Sequence, residues 1–336
     1  MPTLSDYDYD LPEELIAQEP ATPRDHSRLL VYNRADQSIR HDHFYNLGQY
    51  LHPGTRLVLN NTRVNACRIT YENGSREIFL LDERNEEGAT MALAMVRPGR
   101  RFKPGTLHQI ADDLHAEVLA IEESGLRRLR LTPPITDPRW SPFLHTPFPP
   151  YIKPNEEFSE RYQTVFSKDE GSRAAPTAGL HFTPELLDGL AESGFHTTEV
   201  TLHVGLGTFA PVKTEKIEEH EMHSEWWRIT EAAAKELSTA PHRTAVGTTS
   251  MRVLESQPGT VDQGIQAGSG DTSIFIYPGV PVRFTDSLIT NFHLPKSTLL
   301  MLVAALTGVD EMHRIYQEAI EQKYRFYSFG DAMLIL

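Results

Sequence analysis

Short continuous apolar runs open this chain. Residues 28–32 and 56–60 (Arg28-Leu29-Leu30-Val31-Tyr32 and Arg56-Leu57-Val58-Leu59-Asn60) are bounded by turn-forming residues, the pattern of strands buried on both faces. The pattern then changes. Runs at 69–71, 77–81, 91–96, 107–110, 117–121 and 126–131 are separated by Asn73-Gly74, Glu87-Gly88 and Ser124-Gly125. Closely spaced short strands without helices predict a small barrel or sandwich. The Pro-rich stretch 133–154 reads as an extended linker and return crossing. From Ser172 onward helices and strands alternate. Thr183-Pro184 starts a helix that Gly194 ends. Strands follow at 197–204, 273–277 and 287–292, and Val246 leads through Gly247 into a helix. Asp310 caps a helix whose apolar positions Met312, Ile315, Tyr316, Ala319 and Ile320 form one face. The expected fold is therefore α/β, a mostly parallel sheet with flanking helices. It is discontinuous, with an inserted small β-barrel: residues 1–62 and 153–336 form the α/β domain, and 63–152 the insertion with its Pro-rich return.

Composition narrows the class. A chain of 336 residues suits two domains. The apolar helix at 299–306 is too short to cross a bilayer, and the acidic start (Asp6, Asp8, Asp10) does not read as a signal peptide. The only cysteine, Cys67, excludes an intramolecular disulfide and a multi-thiolate metal site, so the expected compartment is the cytoplasm. The net charge of −14 argues against unselective nucleic-acid binding. Residues 63–131, however, hold eleven basic and eleven acidic side chains, with Arg97, Arg100, Arg101 and Lys103 in one group and Arg127, Arg128 and Arg130 in another. These are either a solvated mixed surface or a local phosphate-contacting patch.

Five segments carry candidate chemistry. Asn291 and His293 lie between a strand and a capped apolar helix, where α/β proteins present reactive groups. Small residues at 174–180 precede His181 and the helix at Pro184, either a ligand-approaching loop or a tight turn with a hydrogen-bonded His. Gly205 and Gly207, after His203, match a dinucleotide fingerprint, but Pro211 stands where its helix belongs. A glycine-lined pocket for an adenosine-like group stays open as a reading. His220-Glu221-Met222-His223-Ser224-Glu225 is a surface segment, an acid–base or orienting group, or an incomplete metal site, since no third ligand is evident. Gly247-Thr248-Thr249-Ser250-Met251-Arg252 aims backbone N–H groups and hydroxyls at a carboxylate or phosphate, and Arg252 is either a carboxylate clamp or a salt-bridge partner. A metal-dependent hydrolase and a non-catalytic RNA-binding module are the competing classes.

In order along the chain, these segments resemble the S-adenosylmethionine:tRNA ribosyltransferase-isomerase family of queuosine biosynthesis. The likeness includes residues 8–18, 24–30 and 59–64, then 174–183, 202–209, 222–225 and 246–255, and ends with 274–279, 290–303 and 324–335. The resemblance implies an α/β domain with an inserted small barrel. It also implies transfer and isomerisation of the ribosyl part of S-adenosylmethionine onto the aminomethyl group of a 7-deazaguanine base at the tRNA wobble position. Products are epoxyqueuosine-tRNA, adenine and methionine. S-adenosylmethionine is consumed as substrate, and no cofactor or metal is expected.

Such chemistry requires a base for the proton beside the sulfonium, an acid for departing adenine, and a clamp for the methionine carboxylate. On that footing His181, His203, His223 and His293 are the proton-transfer candidates. Arg252 would clamp the carboxylate, with Thr249 and Asn291 orienting it, and Gly205 and Gly207 would floor the adenosine pocket. Arg24, Arg28, Arg63, Arg100 and Arg101 would contact tRNA, with Tyr151 or Phe292 able to stack on a splayed base. A monomer without membrane association is expected.

Overall fold

A computed structural model describes residues 3–205, 212 and 214–336. The chain divides into two compact units, one of Met1–Arg63 with Pro149–Leu336, the other Val64–Phe148.

The first unit is built on a nine-stranded sheet. Its order is Gly268–Thr272, Glu225–Ile229, His196–Leu202, Thr55–Asn60, His242–Val246, Ser287–Asn291, Ala332–Ile335, Arg28–Asn33 and Ser38–His43. Alternation explains the unbroken apolar runs. Leu57 and Leu59 face one core layer with Leu29 and Val31, while Val58 faces the other with Leu30 and Tyr32. Helices cover both faces: Thr298–Thr307 and Val309–Glu321 place Leu300, Met301, Met312 and Ile315 in one layer, and Pro184–Glu192 places Leu190 in the other.

Four adjacent strands, from His196–Leu202 to Ser287–Asn291, are mutually parallel. Glu225–Ile229, Gly268–Thr272 and Ser38–His43 pair antiparallel, and Ala332–Ile335 runs antiparallel to Ser287–Asn291. The sheet is thus mixed, with the expected parallel strands at its centre. The strand expected at 273–277 lies instead at Gly268–Thr272. That segment is polar and pairs at an edge through its backbone, with Trp227 packed over Gly270, so no apolar run marks it. Thr183 does cap its helix, accepting from the Leu186 N–H at 3.1 Å. Asp310 sits in the first turn of Val309–Glu321, and Gly308 takes the cap.

The second unit is an antiparallel half-barrel of seven strands in open order: Leu144–His145, Arg68–Tyr71, Arg76–Glu86, Ala89–Arg97, Arg127–Thr132, Leu114–Ile121 and Leu107–Ala111. Its core consists of alternate residues such as Ile78, Leu80, Ala92, Ala94, Val118, Leu129 and Leu131. Most of the Pro-rich stretch belongs to this unit rather than to a linker. Trp140 is fully buried, its Nε1–H donates to Pro133 O at 3.1 Å, and Leu144–His145 joins the sheet.

Candidate active site at the carboxyl edge of the parallel strands

Two neighbouring parallel strands, His242–Val246 and Ser287–Asn291, end side by side, and each is followed by a helix that starts at the same edge. Open α/β sheets bind ligands outside the carboxyl ends of their strands. Here a pocket lies there, lined by Ala175–Ala178, Gly247–Thr249, Thr290–Leu294, Tyr151, Tyr327 and Ser328 among others. Gly247 makes the first transition possible. It has φ of +87°, a conformation that L side chains rarely adopt, and a Cβ would lie 3.4 Å from Thr249 Oγ1. Thr248 and Thr249, the first residues of the helix, line the pocket. Thr249 Oγ1 is buried there and has no hydrogen-bond partner among the described residues. Ser297 caps the second helix, its Oγ accepting from Leu300 N–H at 3.2 Å.

The pocket wall holds hydroxyls, an amide, an imidazole and aromatic rings. Asn291 Nδ2 donates to Tyr327 O at 3.0 Å, and Tyr151 OH hydrogen-bonds Ser328 Oγ at 2.7 Å. The Tyr151 and Tyr327 rings lie 4.7 Å apart, and burial raises both phenols above their ordinary range. His293 bonds Thr290 Oγ1 through Nε2 at 2.7 Å, its N–H donates to Tyr316 OH at 3.0 Å, and its carbonyl accepts from Tyr9 OH. Burial pushes His293 down to about 3, so the ring is neutral near pH 7.

Thr249, Asn291 and His293 are therefore brought together, while His181, His203, His223 and Arg252 stand elsewhere. His181 bonds Ser27 Oγ through Nδ1 at 2.7 Å, and its buried Nε2 has no hydrogen-bond partner among the described residues. Burial holds it down to about 4. His203 stacks on Trp226 at 5.0 Å and bonds Thr62 Oγ1 at 2.8 Å, and burial lowers its pKa. His223 is exposed, just before the Glu225–Ile229 strand.

Arg252 does not line the pocket. Its Nη1 pairs with the buried Glu225 carboxylate and its Nε donates to Ile274 O at 3.4 Å, while Nη2 has no hydrogen-bond partner among the described residues. Glu225 Oε1 also accepts from Gly205 N–H at 2.8 Å, so this pair ties the end of the His196–Leu202 strand to the Thr248 helix. Gly207 lies outside the described residues. Phe292 is core, packed among Tyr316, Tyr324 and Phe326.

The expected tRNA arginines also separate. Arg24 donates to the carbonyls of Gln163 and Glu160, at 2.8 and 3.2 Å. Arg28 lies 3.8 Å from the Tyr324 ring centroid, and Arg63 reaches Ser167 and Glu160. Arg100 and Arg101, in the second unit, are exposed. Among the described residues no group of three or more His, Cys, Asp or Glu is arranged to hold a metal ion, and no helix is long and apolar enough to cross a membrane.

Comparison with known proteins decides the family. Residues 4–335 match the family described as queuosine biosynthesis protein. The chain belongs to this family. Among curated relatives, S-adenosylmethionine:tRNA ribosyltransferase-isomerase of Thermotoga petrophila is 49% identical over 339 residues, covering 99% of each chain. The protein of the same name from Natranaerobius thermophilus is 46% identical over 345 residues, again covering 99% of each. A crystal structure of S-adenosylmethionine tRNA ribosyltransferase from Thermotoga maritima is similar at 38% identity and a TM-score of 0.56. That alignment covers 98% of this chain and 100% of the other.

Reading the residues missed Tyr327 and Ser328, the Glu225 partner of Arg252, and Arg161 beside Arg24. The first two sit in a loop with no motif, although Tyr327 has φ of +72°, rare for a residue with a side chain.

Proposed function

We propose that this chain transfers and isomerises the ribosyl moiety of S-adenosylmethionine onto the 7-aminomethyl-7-deazaguanine base at the wobble position of tRNA. Epoxyqueuosine-tRNA, adenine and methionine are the products. Membership of the family over nearly the whole chain supports the reaction. The observation that carries the siting is the convergence of Thr249, Asn291 and His293 on one pocket at a helix N-terminus.

The sulfonium acidifies the adjacent ribose carbon, a base removes its proton, and adenine departs as the sugar opens. The tRNA amine captures the fragment, and ring and epoxide formation release methionine. Burial keeps His293 neutral, so it adds no second positive charge beside the cationic sulfonium. The first-turn N–H groups at Thr248 and Thr249, with the unpartnered Thr249 hydroxyl, suit the methionine carboxylate. Asn291, held by the Tyr327 carbonyl, orients the ligand. Arg252 then acts through Glu225, fixing the helix whose N-terminus receives the carboxylate. Arg100 and Arg101 contact tRNA phosphates. Action as a monomer is part of this proposal.

The deciding assay is release of adenine from S-adenosylmethionine in the presence of tRNA bearing the aminomethyl-deazaguanine base. Release is expected with that tRNA and not with tRNA lacking the base. No release from the folded protein would overturn the assignment.

A further inference from the structure

Beside the pocket is a second, smaller cavity, lined by Pro20, Ala21, Arg24, Arg161, His181 and Ser328 together with neighbours of Ser328. Ser328 lines both cavities. Arg24 and Arg161 are each partly buried here, and their charges act on one another. Arg161 Nη1 donates to Thr22 Oγ1 at 3.1 Å and Nη2 to Ala21 O, while its buried Nε has no hydrogen-bond partner among the described residues. Arg24 likewise donates to the carbonyls of Gln163 and Glu160.

Carbonyls satisfy donors without neutralising charge. Among the described residues neither guanidinium forms a salt bridge, and burial lowers the pKa of each. The carboxylate that Arg24 feels, Glu160, belongs to a side chain 83% exposed and lies 3.5 Å from Arg63. Two partly buried like charges cost free energy unless an anion joins them. Guanidinium pairs are suited to carboxylate and phosphate oxygens.

We infer that Arg24 and Arg161 form an oxyanion subsite for a substrate whose reacting part occupies the adjoining pocket. This rests on the siting of the reaction given above. A carboxylate and a phosphodiester share the required chemistry. The helix N-terminus at Thr248 already suits the carboxylate, so a phosphodiester flanking the modified base is the favoured occupant.

Steady-state kinetics of Arg161→Gln, with each substrate varied in turn, test this. The KM for tRNA is expected to rise roughly tenfold or more, with the KM for S-adenosylmethionine unchanged. The salt slope of tRNA binding should fall by about one. A rise in the KM for S-adenosylmethionine instead would keep the subsite and assign it to the carboxylate. Unchanged KM values for both substrates in a folded variant overturn it, as does a loss confined to kcat. Should Arg161→Gln fail to fold, Arg161→Lys decides the matter: charge without the planar fork should give a smaller KM rise, and none would count against the subsite. Inorganic phosphate separates this from failure of the reaction assignment. It should raise the Tm of the wild type more than that of Arg161→Gln whether or not adenine is released. Equal phosphate shifts in the two proteins overturn the subsite.

Discussion

At the carboxyl edge of the α/β unit Asn291, Thr249 and His293 are 2%, 8% and 9% exposed, whereas Arg100, Arg101 and Lys103 of the antiparallel unit stand in solvent. The first set consists of dipoles and a neutral imidazole held by neighbouring backbone and hydroxyl groups. The second consists of full charges on flexible stems. Dipoles fixed in a poorly solvated site orient a ligand and are little screened by salt. Solvated charges attract phosphates at long range, and that attraction weakens as salt is added. Under the proposed function, the first kind of group suits the bond chemistry and the second suits long-range attraction of the polyanion.

The most severe test of this contrast removes a support of the buried edge. Glu225→Ala leaves Arg252 buried without its carboxylate, and about 3–5 kcal/mol of stability should be lost in urea unfolding. A loss under ~1 kcal/mol would mean that the pair behaves like a surface salt bridge.

Next comes Thr249→Val. It removes a buried hydroxyl that has no partner, so Tm should hold or rise. Meanwhile kcat/KM should fall by about 1.5–3 kcal/mol in transition-state terms, if that hydroxyl meets an ionised group of the substrate. Parallel loss of stability and activity would place Thr249 in the scaffold only.

Acid sharpens the contrast further. His181 and His293 are held down to about 4 and about 3, below the 6.5 of an unperturbed histidine. Above pH 6.5 both are neutral folded or unfolded, and neither makes stability depend on pH. As pH falls below 6.5 the unfolded chain takes up protons that the native state refuses. Stability should therefore drop by up to roughly 1.4 kcal/mol per pH unit for each residue, until the folded values are reached. His181→Asn should flatten the unfolding profile between pH 6 and pH 4, and an unaltered slope would place the ring in contact with water.

The smallest effects are expected in the other unit. Arg100→Ala and Arg101→Ala should each lower the salt slope of tRNA binding by about one, with Tm and the KM for S-adenosylmethionine unchanged. An unaltered slope would remove these arginines from the phosphate footprint.

Much of this was legible along the chain. The runs at 28–32 and 56–60 marked doubly covered strands because every apolar residue there meets one of two apolar layers. Change of period marked the insertion, and Gly247 and Thr183 marked helix starts because capping is local chemistry. The Gly268–Thr272 strand was not legible, since an edge strand is held by backbone pairing that leaves no apolar signature. Nor was the return of Leu144–His145 to its sheet, where proline density suggested a linker.

The site shows the same division. Asn291, Thr249 and His293 were readable because each stands next to a strand end and a helix start, and that adjacency is written in consecutive residues. Arg252 as a partner of Glu225, and Arg24 facing Arg161 across a cavity, were not, because each pairing spans 27 or more positions and depends on which strands become neighbours. Local sequence determined which residue types and backbone turns were available. Only tertiary packing decided which buried charges were neutralised and which were not, because burial and Coulomb interaction depend on distances through space.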